Sequence, residues 1–249
     1  MRCVTWLVSV FLVLGTAHAA EGRKYAVLSL IGDGMLISEW VPSTGARLDN
    51  NQKTFIPISE GVFDKAALLS INGALKKIDP AAAPVLLFAR ERSLYEAQNR
   101  MLDANGKTVD LFEHVRVLLR GQNATHLILV TKLRHEARLK MADQTVGTGT
   151  LEGVGFYIDS SMRTKFNQTG EMGSGLLAPF AYFRVELIDL ARGAAVSEQR
   201  VVASTTTSAL STTAEHAWNA LSGSEKVRIL REMVTDETAA VIPKLVAVP

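Results

Sequence analysis

Apolar residues in this chain occur in two patterns: short continuous runs, which favour buried strands, and three- to four-residue repeats, which favour amphipathic helices. The strongest strand signal beyond the N-terminal region is 124–134, whose apolar centre is 127–130. A helical repeat over 108–120 precedes it, and Gly121 is placed to end that helix in the left-handed conformation. This order predicts the αβ half of a βαβ unit, with 124–134 as the central strand of a sheet.

Capping residues followed by apolar stripes predict three further helices. Asp64 is expected to cap the first of them through its side chain. Ser93 with Glu96, and Ser222 with Glu225, have the spacing of a capping box at the starts of the other two. These helices are long enough to cover a sheet.

Two pairs of strand-like runs predict hairpins. Residues 25–31 and 35–41 flank a Gly-Asp-Gly sequence at 32–34, which we expect to turn the chain into an N-terminal β-hairpin. Residues 179–190 and 195–203 alternate apolar and polar side chains across a short connection, which predicts an antiparallel C-terminal hairpin. The fold class is therefore predicted to be α/β, with a mixed β-sheet flanked by helices.

A polar stretch with three glycines, 160–175, joins two strand signals and lacks apolar periodicity, so it is predicted to be a mobile loop. It carries Arg163, Lys165 and Phe166, a basic pair beside an aromatic ring. Charge steering and an aromatic anchor are typical of partner binding, and these three are the candidate partner-binding residues. A solvated connector is the alternative interpretation.

The N-terminus has the organisation of a secretory signal peptide. Arg2 is followed by an apolar run over 4–14 and a small-x-small cleavage site at 17–19. This predicts a signal peptide over 1–19 and a single α/β domain over 20–249. The alternative, a membrane anchor, is disfavoured because the apolar run is short for a bilayer.

The only cysteine, Cys3, lies within that predicted signal, so the exported chain has no thiol or disulfide. Export without cysteines fits a bacterial periplasm better than a disulfide-rich secretome. The formal net charge is +2 and the basic residues are scattered, which disfavours nucleic-acid binding. We expect a secreted, periplasmic protein with no transmembrane segment after cleavage.

Candidate catalytic and metal-binding residues are few. Asp33 resembles the metal-binding Asp of the Asp-Gly step in the alkaline phosphatase superfamily, which would imply a metal-dependent hydrolase. No two histidines have the HxxxH spacing of a helical metal site, and we expect a turn rather than a metal ligand at Asp33. Gly147, Gly149 and Gly153 nearly match a dinucleotide fingerprint, but a bulged strand is expected because no helix follows them.

Two resemblances bear on function. The run 124–130 and the hairpin sequence 183–193 resemble a strand and a hairpin of periplasmic α/β domains. Those domains occur in the curli-secretion lipoprotein family, the TolB amino-terminal domain and the lipoprotein activators of peptidoglycan synthases. The chain lacks their lipidated cysteine, so tethering and pore assembly are not carried over. Across its length, and with the sequence at 151–159, the chain also resembles a family of uncharacterised exported proteobacterial proteins, which implies no known activity.

The combined expectation is a non-enzymatic cell-envelope protein of the periplasm that binds a protein or glycan partner. No catalytic residue and no cofactor are expected. The alternative is a small periplasmic metal-dependent hydrolase, in which Asp33 would be a metal ligand.

Overall fold

The fold combines one large mixed sheet with helices on both faces. A computed structural model of the chain describes residues 22–32, 34–42, 49, 51–89, 91–103, 109–141, 144–165, 172–205, 207–208 and 217–247. The described strands are β1 (Tyr25–Ser29), β2 (Gly34–Glu39), β3 (Gln52–Pro57), β4 (Val85–Leu87), β5 (His126–Lys132), β6 (Arg134–Glu136), β7 (Leu139–Met141), β8 (Gln144–Val146), β9 (Thr150–Lys165), β10 (Met172–Asp189), β11 (Ala194–Ser204) and β12 (Thr207–Ser208). The described α-helices are α1 (Val62–Ile78), α2 (Arg92–Asp103), α3 (Val109–Leu119) and α4 (Gly223–Val246). The predicted α/β class with a mixed sheet is confirmed.

Strand β5 is central, as predicted. It pairs in parallel with β1 and antiparallel with β10, and β1 pairs in parallel with β4 on its other side. Alternate side chains of β1 and β5 enter two different cores. Val27 and Ile128 pack with α1 and α4 on one face, and Leu28 and Leu129 pack with α2 and α3 on the other. The three parallel strands therefore form a doubly wound unit in the order β4-β1-β5.

The predicted N-terminal hairpin is wrong. Strand β1 is parallel to β5, β5 and β9 are both antiparallel to β10, and β9 is parallel to β2. It follows that β1 and β2 run in the same direction. Leu30 extends β1 by donating its N–H to the Val130 carbonyl. The antiparallel partner of β2 is β3, the strand after it.

The glycine pattern at 32–34 misled the hairpin prediction because close packing also requires glycine. A Cβ on Gly34 would collide with the Phe55 ring and the Ile56 carbonyl of β3. Gly34 therefore allows β3 to pack closely and does not reverse the direction of the chain. Asp33, between the two glycines, lies outside the described residues.

Strand β10 is long enough to carry two strands on one edge. Its residues 176–182 pair with β9, and its residues 183–189 pair with β5. Strands β5 and β9 therefore lie end to end along β10. Strands β1 and β2 lie end to end in the same way, because β1 pairs with β5 and β2 pairs with β9. On the opposite edge, β11 pairs antiparallel with β10, so the predicted C-terminal hairpin is confirmed.

The predicted mobile loop over 160–175 is largely wrong. Strand β9 continues to Lys165 and β10 begins at Met172, with these two residues opposite each other in an antiparallel ladder. A hairpin ladder is held by backbone hydrogen bonds, so it can form where the side chains show no apolar periodicity. Residues 166–171 lie outside the described part of the chain.

The helix starts are partly as predicted. Ser222 and Glu225 form the expected capping box of α4. Ser93 lies inside α2, which begins one residue earlier, and Asp64 lies in the first turn of α1 without capping it. The short hairpin β7–β8 covers the face of β9 and β10 that α1 and α4 leave open. No helix in the described ranges is long and apolar enough to cross a membrane.

Candidate functional site

Asp64 fixes the carboxyl end of β1. Its Oδ1 accepts hydrogen bonds from the Ser29 hydroxyl at 2.6 Å and from the N–H groups of Ile31 and Gly32 at 2.9 and 3.1 Å. Its Oδ2 accepts one from the Tyr95 hydroxyl at 2.6 Å. The side chain thus reaches from α1 to the end of β1 and to α2, instead of to the amides of its own helix. This corrects the predicted cap.

Gly32 makes the approach of that carboxylate possible. A Cβ at this position would lie 2.5 Å from Asp64 Oδ2 and 2.7 Å from the Asp64 backbone nitrogen. Real Cβ atoms do not come so close to backbone atoms. The glycine after β1 therefore marks a packing contact with α1.

Gln98 ties the ends of the two central parallel strands together. Its Nε2 donates to the Leu30 carbonyl at 2.7 Å, and its Oε1 accepts from the Lys132 N–H at 2.8 Å. The residue is fully buried on α2. In the sequence, helical periodicity shows only that Gln98 is a polar residue on the apolar side of α2. It does not indicate that the side chain connects two strands.

A cavity of about 620 Å³ opens beside this network, at the carboxyl ends of β1 and β4. We call it the β1 cavity. Its volume is in the range of small-molecule sites, and in open α/β sheets ligands bind outside the carboxyl ends of the strands. The residues that line it include Ile58, Glu60, Asp64, Lys65, Phe88 and Tyr95.

Two features of its rim are unusual. Glu60 has a φ of 69°, the left-handed region that glycine or asparagine adopts more readily. The conformation costs roughly 1 kcal/mol for such a residue. Phe88 follows β4 with half of its surface exposed. A strained acid and an exposed ring therefore stand together at the mouth of the β1 cavity.

The predicted partner-binding residues lie elsewhere. Arg163 and Lys165 are on the final stretch of β9, where the structure describes the backbone path, and Phe166 lies outside the described residues. We call residues 160–165 and 172–175 the arm. None of the residues that line the β1 cavity belongs to β9 or β10. The fold therefore separates the predicted surface from the cavity.

Within the described residues, no group of three or more His, Cys, Asp or Glu side chains is placed to hold a metal ion. Asp33, the alternative metal ligand, lies outside those residues. His126 starts β5, where burial lowers its pKa, Arg23 lowers it further and Asp189 opposes the shift. His135 is on β6.

The glycine-rich segment around Gly147 and Gly149 joins β8 to β9, so a strand follows it, as expected, and no helix does. Asp49 accepts hydrogen bonds there from the Thr150 N–H and hydroxyl at 3.1 and 2.6 Å, and pairs with Lys53 at 2.7 Å. Burial disfavours the Asp49 carboxylate, but the bonds from Lys53 and Thr150 outweigh burial and lower its pKa. The role of the segment is therefore structural, since Asp49 connects the start of β9 to Lys53 of β3.

No protein-family model matches the chain, and no curated protein matches it. A function for the protein is therefore inferred from its own residues and from the geometry of the arm and the β1 cavity.

Proposed function

We propose that the protein is a non-enzymatic periplasmic protein of the cell envelope that binds a partner through its arm. The N-terminal sequence of a secretory signal supports the compartment. The observation that carries the binding function is the extension of β9 and β10 beyond the described residues of the strands beside them.

The arm begins where pairing with the described neighbouring strands ends. Strand β2 pairs with β9 as far as Ile158, and β12 pairs with Leu176 and Leu177 of β10. Seven residues of β9, 159–165, follow Ile158 and span roughly 20 Å. Asp159 and residues 163–165 pair with β10, and an irregularity in the register lies between them. The arm is thus a two-stranded ribbon at one end of the sheet.

A two-stranded ribbon is marginally stable alone in water, and its edges can accept a further strand. Contact with a partner would stabilise the ribbon. Strand edges favour a protein over a glycan, because another chain can continue the ladder. Arg163, Lys165 and Phe166 stand in the sequence at this end of the ribbon and would supply charge steering and an aromatic anchor.

Affinity capture from envelope extracts, read by mass spectrometry, tests the proposal. Replacing Arg163, Lys165 and Phe166 with Ala is expected to reduce partner retention while leaving the melting temperature nearly unchanged. The matched control replaces Lys76, Lys77 and Ile78, an exposed basic pair and apolar residue at the end of α1. If both triple variants retain the partner equally, the arm is a connector.

Two further measurements test the remaining parts of the proposal. Intact-mass analysis of a periplasmic extract is expected to show a chain that starts near Ala20, and a full-length membrane-embedded chain would contradict export. Metal analysis of the purified protein tests the non-enzymatic assignment. Stoichiometric zinc or magnesium that disappears in Asp33→Asn would favour the hydrolase alternative.

A further inference from the structure

We propose that the β1 cavity binds a small organic cation with an apolar body, of the aralkylamine class. This site is independent of the arm and adds a ligand to the proposed partner binding. Its evidence is the combination of volume, position, strain and charge around the carboxyl ends of β1 and β4.

The position of the cavity is set by rigid elements. Asp64 accepts hydrogen bonds from Ser29, Ile31, Gly32 and Tyr95, which hold the end of β1, the first turn of α1 and α2 in fixed relation. Gln98 fixes β1 to β5 just behind them. A site whose walls are already hydrogen-bonded loses little conformational entropy when a ligand enters.

Glu60 is the residue that points to a function for the rim. The left-handed backbone at this position would be easier for glycine or asparagine, and the chain has glutamate there. Strained backbone conformations concentrate at ligand sites, where the side chain they present is needed. The strain therefore suggests that the Glu60 carboxylate has a role at the mouth of the cavity.

The charge of the lining selects the class of ligand. Glu60 and Asp64 provide two carboxylates, and Lys65 provides one ammonium group. Among the described lining residues the balance of charge is negative, which attracts a cation and opposes an anion. The apolar part of the lining is Ile58, Phe88 and the Tyr95 ring. An ammonium group on a flat apolar body matches both parts, because aromatic rings pack against each other and also attract cations.

Isothermal titration with 2-phenylethylamine tests the site, with 3-phenylpropionate as the probe of opposite charge. The amine is expected to bind one per chain with a dissociation constant of about 1 mM or below, the scale for a ligand of so few atoms. Raising the salt concentration is expected to weaken it. Equal or tighter binding of the carboxylate probe would overturn the proposal.

Two substitutions at Glu60 separate its charge from its strain. Glu60→Gln and Glu60→Asn both remove the carboxylate and are expected to weaken amine binding about three- to fivefold. Glu60→Asn alone is expected to raise the melting temperature, because asparagine tolerates the left-handed backbone. The control is Glu113→Gln, on the exposed face of α3 and outside the cavity lining. Unchanged affinity in both Glu60 variants would contradict the site.

Ala89→Trp is expected to fill the cavity and abolish amine binding, since Ala89 is part of its lining. If that variant does not fold, Phe88→Ala provides a second test. It removes a half-exposed lining ring with little loss of stability and is expected to weaken amine binding. The arm variant is expected to bind the amine as the native chain does. Amine binding that survives in a folded Ala89→Trp, or that has unchanged affinity in Phe88→Ala, would place the ligand elsewhere.

Discussion

Asp64 and Gly32 depend on each other at the end of β1. The carboxylate accepts hydrogen bonds from the N–H groups of Ile31 and Gly32, which lie beyond the end of β1. It lies so close to Gly32 that a Cβ at that position would collide with it. Buried N–H groups without an acceptor are costly, so the pair holds the strand end in one position.

Gly32→Ala is expected to lower the free energy of unfolding by about 1–3 kcal/mol, because the added methyl group must displace Asp64 or the backbone of α1. Gly73→Ala is the matched control. Gly73 lies inside α1 with nothing near the position of a Cβ, and alanine there is expected to add about 0.5–1 kcal/mol. Urea unfolding of the two variants gives both values. Similar destabilisation by both would show that Gly32 is not packed against Asp64.

The residues of the β1 cavity show where prediction from the sequence stops. The sequence indicates a capping role for Asp64 because it precedes an apolar stripe. Local sequence cannot show that its carboxylate accepts hydrogen bonds at the end of β1, where Ile31 lies 33 residues earlier in the chain. Gln98 gave only a polar signal. The sequence does not indicate a role for Glu60, because its left-handed backbone conformation depends on the path of the chain between β3 and α1. Contacts between distant elements define this site.

At the scale of elements, β5 carries the most predictable part of the fold. Its central residues are fully buried, and both of its neighbours pair along its length. Leu129→Ala is expected to lower the free energy of unfolding by about 2–5 kcal/mol, since the side chain fills the core beneath α2 and α3. Val117→Ala on α3, a largely exposed position, serves as the control. Equal melting temperatures for the two variants would show that β5 is misplaced.

The strands and helices were predictable because apolar period and capping residues are local properties. Their pairing was not. The Gly-Asp-Gly sequence after β1 is compatible with a hairpin turn and with a glycine that admits a neighbouring strand, and only the second occurs at Gly34. The ladder between residues 163–165 and 172–174 was missed for a related reason, since backbone hydrogen bonds leave no apolar pattern in the sequence.

At the scale of the whole molecule, β10 joins two parts of the sheet. One part contains β1, β4 and β5 with α2 and α3, and the other contains β2, β3 and β9. Both parts also contribute to the core beneath α1 and α4, where Ile128 of β5 and Phe156 of β9 belong to one cluster. Neither part can lose its contacts with β10 and these helices without exposing apolar surface of the other.

We therefore expect the chain to unfold in one cooperative step. The fluorescence of Trp40 and Trp218 reports on the part around β9, because Trp40 follows β2 and Trp218 packs against Phe156. Hydrogen exchange at the amides of β1 and β5 reports on the other part.

Leu177→Ala and Leu187→Ala truncate β10 opposite β9 and β5 respectively, and both side chains are fully buried. Each is expected to lower the stability measured by both probes to the same extent. Urea midpoints that separate, with each substitution affecting only the nearer probe, would show that the two parts unfold independently and that β10 does not couple them.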